Sequence, residues 1–383
     1  YVFVNSIEVV ECLLALELQE VSLLVEGQSY LNDISLRFEA GTFNVLLGRT
    51  LAGKTSLLRV LAGLDKPTTG RVIYKQQDVT GVAVQKRGLS MVYQQFINYP
   101  HLTVWENIAS PLKLAKVSAA EITKRVKHTA EMLHIGEYLQ RLPLELSGGQ
   151  QQRCAMARAL VKDAGIVLFD EPLVNLDYKL REELRSELKA LFKTRETIAI
   201  YATTEAHEAL ALGGTTTLLH QGKVLQAGEA QQQFAKPINL FAADLYNEPA
   251  LNVFSATVND GLLQIQNPID LASTGHLADL PNGQYQFAIR PNHIALQPNN
   301  LTSIALSSKV DLAEISASET YLHVETSVDS AQNNLSWIVH ILAIMSFRSG
   351  SEIDIFLPLE DLFVFDLAGN AIRCPDTHAM SVL

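Results

Sequence analysis

Cysteine is scarce in this sequence of 383 residues, and long apolar runs are missing from it. The three cysteines, Cys12, Cys154 and Cys374, lie far apart, so a disulfide framework and a cysteine-based zinc site are both excluded. This usage is typical of a protein in a reducing compartment. The longest apolar candidate, residues 337–345, is interrupted by His340 and falls short of the roughly 18 residues of a membrane-spanning helix.

Basic residues are nearly absent from the second half of the chain. The formal net charge is −11, but residues 1–239 carry 26 basic and 25 acidic side chains, whereas residues 240–383 carry 4 and 16. Phosphate contacts in nucleic-acid complexes need Lys and Arg, so we expect no nucleic-acid partner. A solvated acidic surface is the simpler interpretation of the second half. The hydrophobic share of 48% excludes general disorder.

The first part of the chain has the pattern of an α/β domain. Short apolar runs that predict strands alternate with longer helical patterns, and these runs lie at residues 43–47, 91–93, 166–169, 198–202 and 217–219. Between residues 103 and 160 the pattern is helical, and Ser118 with Glu121 has the spacing of a capping box. We therefore predict a helical insertion in this α/β domain.

The pattern changes in the second part of the chain. Apolar and polar residues alternate at Tyr285–Ile289, Tyr321–Val324 and Ile353–Leu357, with turn residues between them. This alternation predicts short antiparallel strands, and hence an all-β domain that is a small barrel or a sandwich. We predict two domains, residues 1–240 and 241–383.

A phosphate-binding pattern, G-x-x-x-x-G-K-[ST], follows the first predicted strand. Its members are Gly48, Arg49, Thr50, Leu51, Ala52, Gly53, Lys54 and Thr55, and Ser56 follows in the next helical pattern. Backbone N–H groups and the helix N-terminus of such a loop cradle phosphates. Lys54 adds positive charge at the β and γ oxygens, and Thr55 offers a hydroxyl to Mg²⁺. The strand–loop–helix context argues against a chance glycine-rich turn.

Two acidic residues end the apolar run at 166–169. In P-loop enzymes an acid at this strand end holds Mg²⁺, which is the role expected for Asp170. The next carboxylate, Glu171, can polarise the attacking water. Alternatively, the pair only caps the turn before Pro172. The phosphate-binding pattern earlier in the chain favours the catalytic interpretation.

A second helix start between these motifs combines a serine with two glycines. The segment is Leu146-Ser147-Gly148-Gly149-Gln150. Its hydroxyl, its backbone N–H groups and the helix dipole form a possible second anion site, although Ser147 could be an ordinary N-cap. Together with the flanking motifs, the segment resembles the signature of the ATPase subunits of ABC transporters. The resemblance covers roughly residues 17–235.

The resemblance implies ATP and Mg²⁺ as cofactors, with Thr55, Gln94 and Asp170 at the metal and Glu171 as the catalytic residue. Gln94 resembles the Q-loop glutamine of this family, and Asp177, in Asn175-Leu176-Asp177, resembles its D-loop. Such subunits bind two ATP molecules between them, with the P-loop of one facing the signature of the other.

The resemblance also implies the partner proteins and the cellular location of the chain. These are a second ATPase subunit, two transmembrane permease subunits and, indirectly, a solute-binding protein, at the cytoplasmic face of the plasma membrane. Importers of sugars often append a small β domain, of the TOBE or OB type, to this ATPase. The segment Ala288–His293 resembles a recurring strand of that regulatory domain.

One departure from the family concerns the switch position. Thr204 stands where a histidine is usual in this family. Its hydroxyl is on a shorter side chain than imidazole and cannot extend to the γ-phosphate and to Glu171 as a histidine would. His207 comes three residues later, so we expect it on a helix surface.

Two further departures concern the nucleotide contacts. Leu51 and Ala52 replace the usual central glycine, which narrows the backbone conformations of the loop. Leu24 and Val25 occupy the place of an adenine-stacking aromatic residue, and Tyr30 could substitute.

The combination of the phosphate-binding loop at residues 48–56 with Tyr201-Ala-Thr-Thr-Glu205 resembles that of a branch of carbohydrate-importer ATPases associated with glycerol and polyol uptake, in which two non-identical subunits pair. We therefore expect the ATP-hydrolysing subunit of a carbohydrate or polyol importer. The alternative is a regulatory subunit that binds ATP and is deficient in hydrolysis.

Overall fold

The computed structural model of the protein describes residues 15–174, 176–193, 196–265, 268–271, 275–298, 302–328 and 334–375. Cys12 and Asn175 lie outside the described residues. The chain divides into two units, residues 1–230 and 231–383. This division lies N-terminal to the boundary predicted from composition.

Strands and helices alternate along the first unit. Its strands are β1 (Leu16–Val25), β2 (Gln28–Phe38), β3 (Phe43–Leu47), β4 (Thr69–Tyr74), β5 (Gln77–Asp78), β6 (Leu89–Val92), β7 (Ile166–Asp170), β8 (Ile198–Thr203), β9 (Thr215–His220) and β10 (Lys223–Glu229). Its helices are α1 (Lys54–Ala62), α2 (Val104–Leu114), α3 (Ala119–Met132), α4 (Gly148–Leu160), α5 (Tyr178–Lys193) and α6 (Ala206–Leu212), and α7 (Ala230–Ala235) begins where this unit ends.

A six-stranded sheet in the order β10-β9-β3-β8-β7-β6 forms the centre of this unit. All neighbours from β9 to β6 run parallel, and β10 pairs antiparallel with β9. The strands β3, β7 and β8 are buried along their whole length, which is why they are continuous apolar runs in the sequence. Because these strands are parallel, the carboxyl ends of β3, β8, β7 and β6 lie at one edge of the sheet.

A second sheet, in the order β2-β1-β4-β5, is antiparallel. Its buried residues, such as Leu18 and Ile34, share one apolar cluster with Leu57 and Leu61 of α1 and with Leu168 of β7. The helix that follows the phosphate-binding pattern is therefore anchored in the core of the unit on several sides.

Helices α2 to α4 occupy the region predicted as a helical insertion. Ser118 caps α3 by accepting a hydrogen bond from Glu121 N at 3.4 Å. The predicted reciprocal bond is not made, because the Glu121 carboxylate accepts from Arg125 Nε at 2.7 Å instead. Trp105 of α2 is half-buried, and Lys113 Nζ lies 5.1 Å from the centre of its ring.

The second unit is rich in strands. They are β11 (Asn252–Asn259), β12 (Leu262–Gln264), β13 (Ile269–Asp270), β14 (Gly283–Ile289), β15 (Ser303–Ile315), β16 (Thr320–Thr326), β17 (Leu335–Ile341), β18 (Glu352–Pro358), β19 (Phe363–Phe365) and β20 (Ala371–Arg373), preceded by helix α8 (Leu240–Leu245). They form two antiparallel sheets, in the orders β13-β12-β11-β14-β19-β20 and β17-β16-β15-β18.

Both sheets of the second unit contribute to one hydrophobic core. Phe254 and Phe287 come from the first sheet, and Leu322 and Trp337 from the second. Trp337 is only 2% exposed. The strands that the structure describes form two open sheets with a shared core, so the closed barrel is not seen and the architecture is that of a sandwich. Among the described helices, none combines the length and apolar character needed to cross a bilayer.

Candidate functional site

Four loops meet at the carboxyl edge of the parallel sheet in the first unit. Gly48 follows β3 and donates its N–H to Thr203 O of β8 at 3.4 Å. Glu171 follows β7 and donates its N–H to Ala202 O at 3.0 Å. The adjacency of β3, β8 and β7 brings together side chains that are more than 100 residues apart in the chain, as the Thr55–Asp170 pair below illustrates.

Lys54 is a buried cation inside the phosphate-binding pattern. Its ammonium donates to Gly48 O at 2.7 Å and to Arg49 O at 3.3 Å, and Glu171 Oε1 lies 3.5 Å away. Burial lowers the pKa of Lys54, and the nearby carboxylate of Glu171, followed by that of Asp170, opposes this shift. The loop therefore holds a buried positive charge against its own backbone, and such a charge attracts an anion.

The backbone of the phosphate-binding loop uses the left-handed region at two places. Gly53 precedes α1 with φ of 105°, and Leu51 has φ of 67° with a side chain that is 94% exposed. Leucine at the position of the missing glycine therefore adopts the conformation that glycine favours, at a cost of roughly 1–2 kcal/mol. Ala52 is buried, and Arg49 and Thr50 are exposed beside it.

The acid pair at the end of β7 has two different environments. Asp170 is 3% exposed and accepts a hydrogen bond from Thr55 Oγ1 at 3.1 Å. Burial raises the pKa of Asp170, although the Thr55 hydrogen bond and the Lys54 charge favour its ionised form. Glu171 has φ of 48° and accepts from Gln94 Nε2 at 2.9 Å. The amide of Gln94 thus contacts Glu171, while Asp170 contacts Thr55.

The serine–glycine segment begins α4. Ser147 Oγ accepts from Gln150 N at 3.3 Å, and Gln150 Oε1 accepts from Ser147 N at 2.8 Å, so the two residues form a reciprocal capping box. Ser147 and Gly148 remain exposed, and Gly149 is half-buried. The Ser147 hydroxyl uses an acceptor site for the cap and keeps its O–H to donate. The N-cap role and an anion-binding role are therefore compatible.

The segment after β8 carries the unusual threonine. Thr204 is half-buried and lines a small cavity together with Glu171, Val174, Thr203, Glu205 and Glu208. His207 is exposed, and its Nδ1 lies 3.4 Å from Glu205 Oε2, so it belongs to the helix surface, as expected. Glu208 was not predicted from the sequence, although its place one turn into the helix after β8 was a usable signal.

Two further predicted residues lie outside this cluster of contacts. Asp177 Oδ1 accepts from Leu180 N at 3.0 Å and so caps the start of α5. Tyr30 lies on β2, where its side chain is 40% exposed and its hydroxyl donates to Gln28 Oε1 at 3.4 Å. The carbonyl of Tyr30 approaches Gly53, at 3.0 Å from the place of an added Cβ.

The fold and the site define a P-loop nucleoside triphosphatase. The ABC transporter family matches residues 31–174. An oligosaccharides import ATP-binding protein of Bacillus subtilis is 34% identical over 343 residues, which are 88% of this chain and 92% of that protein. An sn-glycerol-3-phosphate import ATP-binding protein of Escherichia coli O157:H7 is 34% identical over 354 residues, which are 92% and 97% of the two chains.

A solved structure agrees with this assignment. The dimeric structure of a bacterial ABC transporter cassette is 28% identical, with a TM-score of 0.53, and the match covers 56% of this chain and 98% of that one. The same cassette in a post-hydrolysis state with bound ADP and Pi matches equally well. The chain belongs to the ABC transporter ATP-binding proteins, and it is an ABC-type ATPase.

Proposed function

We propose that this chain hydrolyses ATP to drive the import of a carbohydrate, a polyol or a glycerol phosphate. The observation that carries the proposal is the convergence of Lys54, Asp170 and Glu171 at one sheet edge, with Gln94 and Thr55 bonded to the two acids. The relatives named above are importers of oligosaccharides and of sn-glycerol-3-phosphate, which are hydroxyl-rich solutes.

Magnesium fits the donor set beside the loop. Thr55 Oγ1 and Asp170 Oδ1 are hard oxygen ligands 3.1 Å apart, and the described residues contain no cluster of three or more acidic, histidine or cysteine side chains. Mg²⁺ is usually bound by one or two side chains together with phosphate oxygens of the substrate, and not by protein ligands alone. One carboxylate and one hydroxyl are therefore a suitable protein contribution. Thr55 and Asp170 would hold the ion there, and it would supply positive charge to neutralise the phosphates of the nucleotide. Gln94 would join this site by leaving Glu171.

The residues of this chain have separate roles in ATP binding and hydrolysis. Lys54 exchanges its bonds to the carbonyls of Gly48 and Arg49 for bonds to phosphate oxygens, and its fixed charge stabilises the transition state. Glu171 orients the attacking water and accepts its proton. Backbone N–H groups of residues 49–53 and Ser56 hold the phosphates. Tyr30 lies beside this loop and supplies an aromatic surface for adenine.

The signature segment acts on a second ATP. Ser147, Gly148, Gly149 and Gln150 would contact the nucleotide bound to a partner ATPase subunit, and Asp177 would lie near that interface. We propose a non-identical paralogue as the partner, because Thr204 lacks the reach of histidine and a complete site opposite would compensate.

Two permease subunits at the cytoplasmic face of the membrane and a solute-binding protein complete the importer, and the acidic second unit has a regulatory role. The relatives lend no support to the alternative of a hydrolysis-deficient subunit.

The test is steady-state ATP hydrolysis by the full chain, compared with Glu171→Gln. This substitution keeps the size of the side chain and removes the base, so we expect a loss of roughly a hundredfold or more in kcat. ATP binding, measured by the increase in melting temperature, should persist in the variant. Hydrolysis at equal rates by the two proteins would contradict the catalytic role of Glu171. Binding of ATP without hydrolysis by the wild type would show that the chain needs its non-identical partner, and the comparison would then be repeated with that partner present.

A further inference from the structure

A buried carboxyl group lies beneath the turn that carries Thr204. Glu208 of α6 is only 4% exposed, and burial raises the pKa of its carboxyl group. Its Oε2 accepts hydrogen bonds from Thr203 Oγ1 at 2.6 Å and from Tyr201 Oη at 3.1 Å. Burying a carboxyl group is costly even when it is hydrogen-bonded, and an apolar side chain would pack here at a lower cost. The position therefore calls for a role other than packing.

The hydrogen bond from Thr203 connects Glu208 to the turn that carries Thr204. Thr203 Oγ1 also accepts from Glu205 N at 3.0 Å, so Glu205 N–H, the Thr203 hydroxyl and the Glu208 carboxyl form a chain. A hydroxyl that donates to a carboxyl group is a stronger acceptor, which reinforces the next bond. Thr204 stands between the two bonded residues, so this chain fixes the turn on which it sits.

The second bond to Glu208 leads away from the site. Tyr201 is fully buried on β8, and its ring packs against Phe43 at 6.2 Å and Phe169 at 6.0 Å between centroids. Its hydroxyl donates to the same carboxyl oxygen as the Thr203 hydroxyl does, and this hydrogen bond involves no residue of the turn. Tyr201 is therefore a natural control for the contribution of Thr203.

The turn is also held from its other side. Glu205 Oε2 lies 3.0 Å from Arg181 Nη1 of α5. With Thr203 fixed below and Glu205 fixed laterally, Thr204 has little freedom, and it lines the same cavity as Glu171. A shift of this turn would change the space beside the carboxylate that orients the water.

We infer that Glu208 and Thr203 are positioning residues for ATP hydrolysis, which hold the Thr203–Glu205 turn so that Thr204 stays beside Glu171. Thr203 contacts the phosphate-binding loop through its backbone carbonyl, which accepts from Gly48 N, and not through the hydroxyl that bonds Glu208. The hydrogen bond between Thr203 and Glu208 therefore acts on the chemical step through the turn. The inference rests on the proposed function, since it requires Glu171 to act on the water.

The test compares Thr203→Val with Tyr201→Phe in the full chain. Each variant removes one hydrogen bond to the same carboxyl oxygen and keeps the shape of the side chain. We expect Thr203→Val to lower kcat roughly tenfold with an unchanged KM for ATP, as the loss of a residue supporting an active site commonly does. Tyr201→Phe should keep its kcat, and Thr203→Ser, which retains the hydroxyl, should restore most of it.

A merely structural role would lower the melting temperature of both variants without separating their kcat values. Equal kcat values, or a change in KM alone, would overturn the inference. Should Thr203→Val fail to fold, Glu208→Gln replaces the acceptor by a weaker one, and an unchanged kcat in that variant would overturn it equally. Hydrolysis by the wild type above the Glu171→Gln blank separates these results from a failure of the proposed function, which would remove the inference with it.

Discussion

Gly48, the first residue of the phosphate-binding loop, has no room for a side chain. A Cβ at this position would lie 2.6 Å from Leu219 O and 2.8 Å from Ala52 Cβ, both closer than van der Waals contact allows. The backbone of β9 is fixed by its ladder with β3 and β10, so the loop itself must shift to accept a methyl group. Phosphate binding depends on this backbone, because its N–H groups are the ligands.

We predict that Gly48→Ala weakens ATP binding at least tenfold, an order of magnitude typical of a misplaced set of backbone donors. Titration calorimetry with ATP and Mg²⁺ measures it. Gly81→Ala is the matched control, since nothing lies within 4 Å of a Cβ added there. Similar affinities of the two variants would show that the loop accommodates the methyl group.

The carboxyl group of Glu208 makes stability depend on pH. Its pKa is raised from the ordinary value of 4.5 by burial, so the folded state binds the proton more tightly than the unfolded state. The resulting stabilisation is fully present below the ordinary value and is lost as the pH rises through the folded-state value. Glutamine does not titrate. The melting temperature of Glu208→Gln relative to wild type should therefore rise as the pH increases above the ordinary value of 4.5. A difference that stays constant would contradict the shift.

At the scale of elements, Arg87 closes the end of α1. It is 4% exposed and donates to Val60 O at 3.1 Å and Leu61 O at 2.8 Å, which are carbonyls of the last turn of the helix. It also donates to Val82 O and Thr80 O, at 2.9 and 3.0 Å. A planar guanidinium reaches all four acceptors, whereas an ammonium cannot.

Arg87→Lys should lower the free energy of unfolding by about 2 kcal/mol, because buried carbonyls lose their donors. Urea unfolding monitored by circular dichroism measures the change. Arg59→Lys serves as the control, since Arg59 is 44% exposed and its ion pair with Asp65 should change stability by no more than about 0.5 kcal/mol. Equal losses in both variants would exclude a special role for Arg87.

The elements of the first unit could be predicted because their signals are local. Buried parallel strands are continuous apolar runs, and the phosphate-binding pattern carries its own strand, loop and helix. The contact between Gln94 and Glu171 could not be predicted, since it joins residues 77 positions apart through the conformations of two loops. Thr203 and Glu208 are near in sequence, but their bond depends on where α6 begins, and helix boundaries are the least predictable feature.

In the second unit, alternation predicted the strands and not their partners. It shows which residues of a strand face the core, but the choice between a closed barrel and two open sheets depends on which edges pair. The strand β15 pairs with β16 and with the distant β18, and this leaves β17 and β18 as the edges of its sheet. No residue type in these segments carries that information.

At the scale of the whole molecule, the two units have unlike surfaces and separate cores. The net negative charge arises after residue 239, where 4 basic and 16 acidic side chains lie, whereas the nucleotide-binding motifs lie in the nearly neutral first part. Leu57 and Leu168 belong to the core of the first unit, and Leu322 and Trp337 to that of the second. Each core is large enough to support its own cooperative transition.

The chain has two tryptophans, one in each unit: Trp105 is half-buried on α2, and Trp337 is enclosed in the second core. Their indoles therefore differ in contact with water and emit at different wavelengths, the enclosed one further to the blue. Replacing either tryptophan with phenylalanine leaves one tryptophan in the intact chain, so the fluorescence then comes from one known unit. When ATP is added to each single-tryptophan variant, a change in its emission spectrum shows that the unit holding the remaining tryptophan responds to the nucleotide.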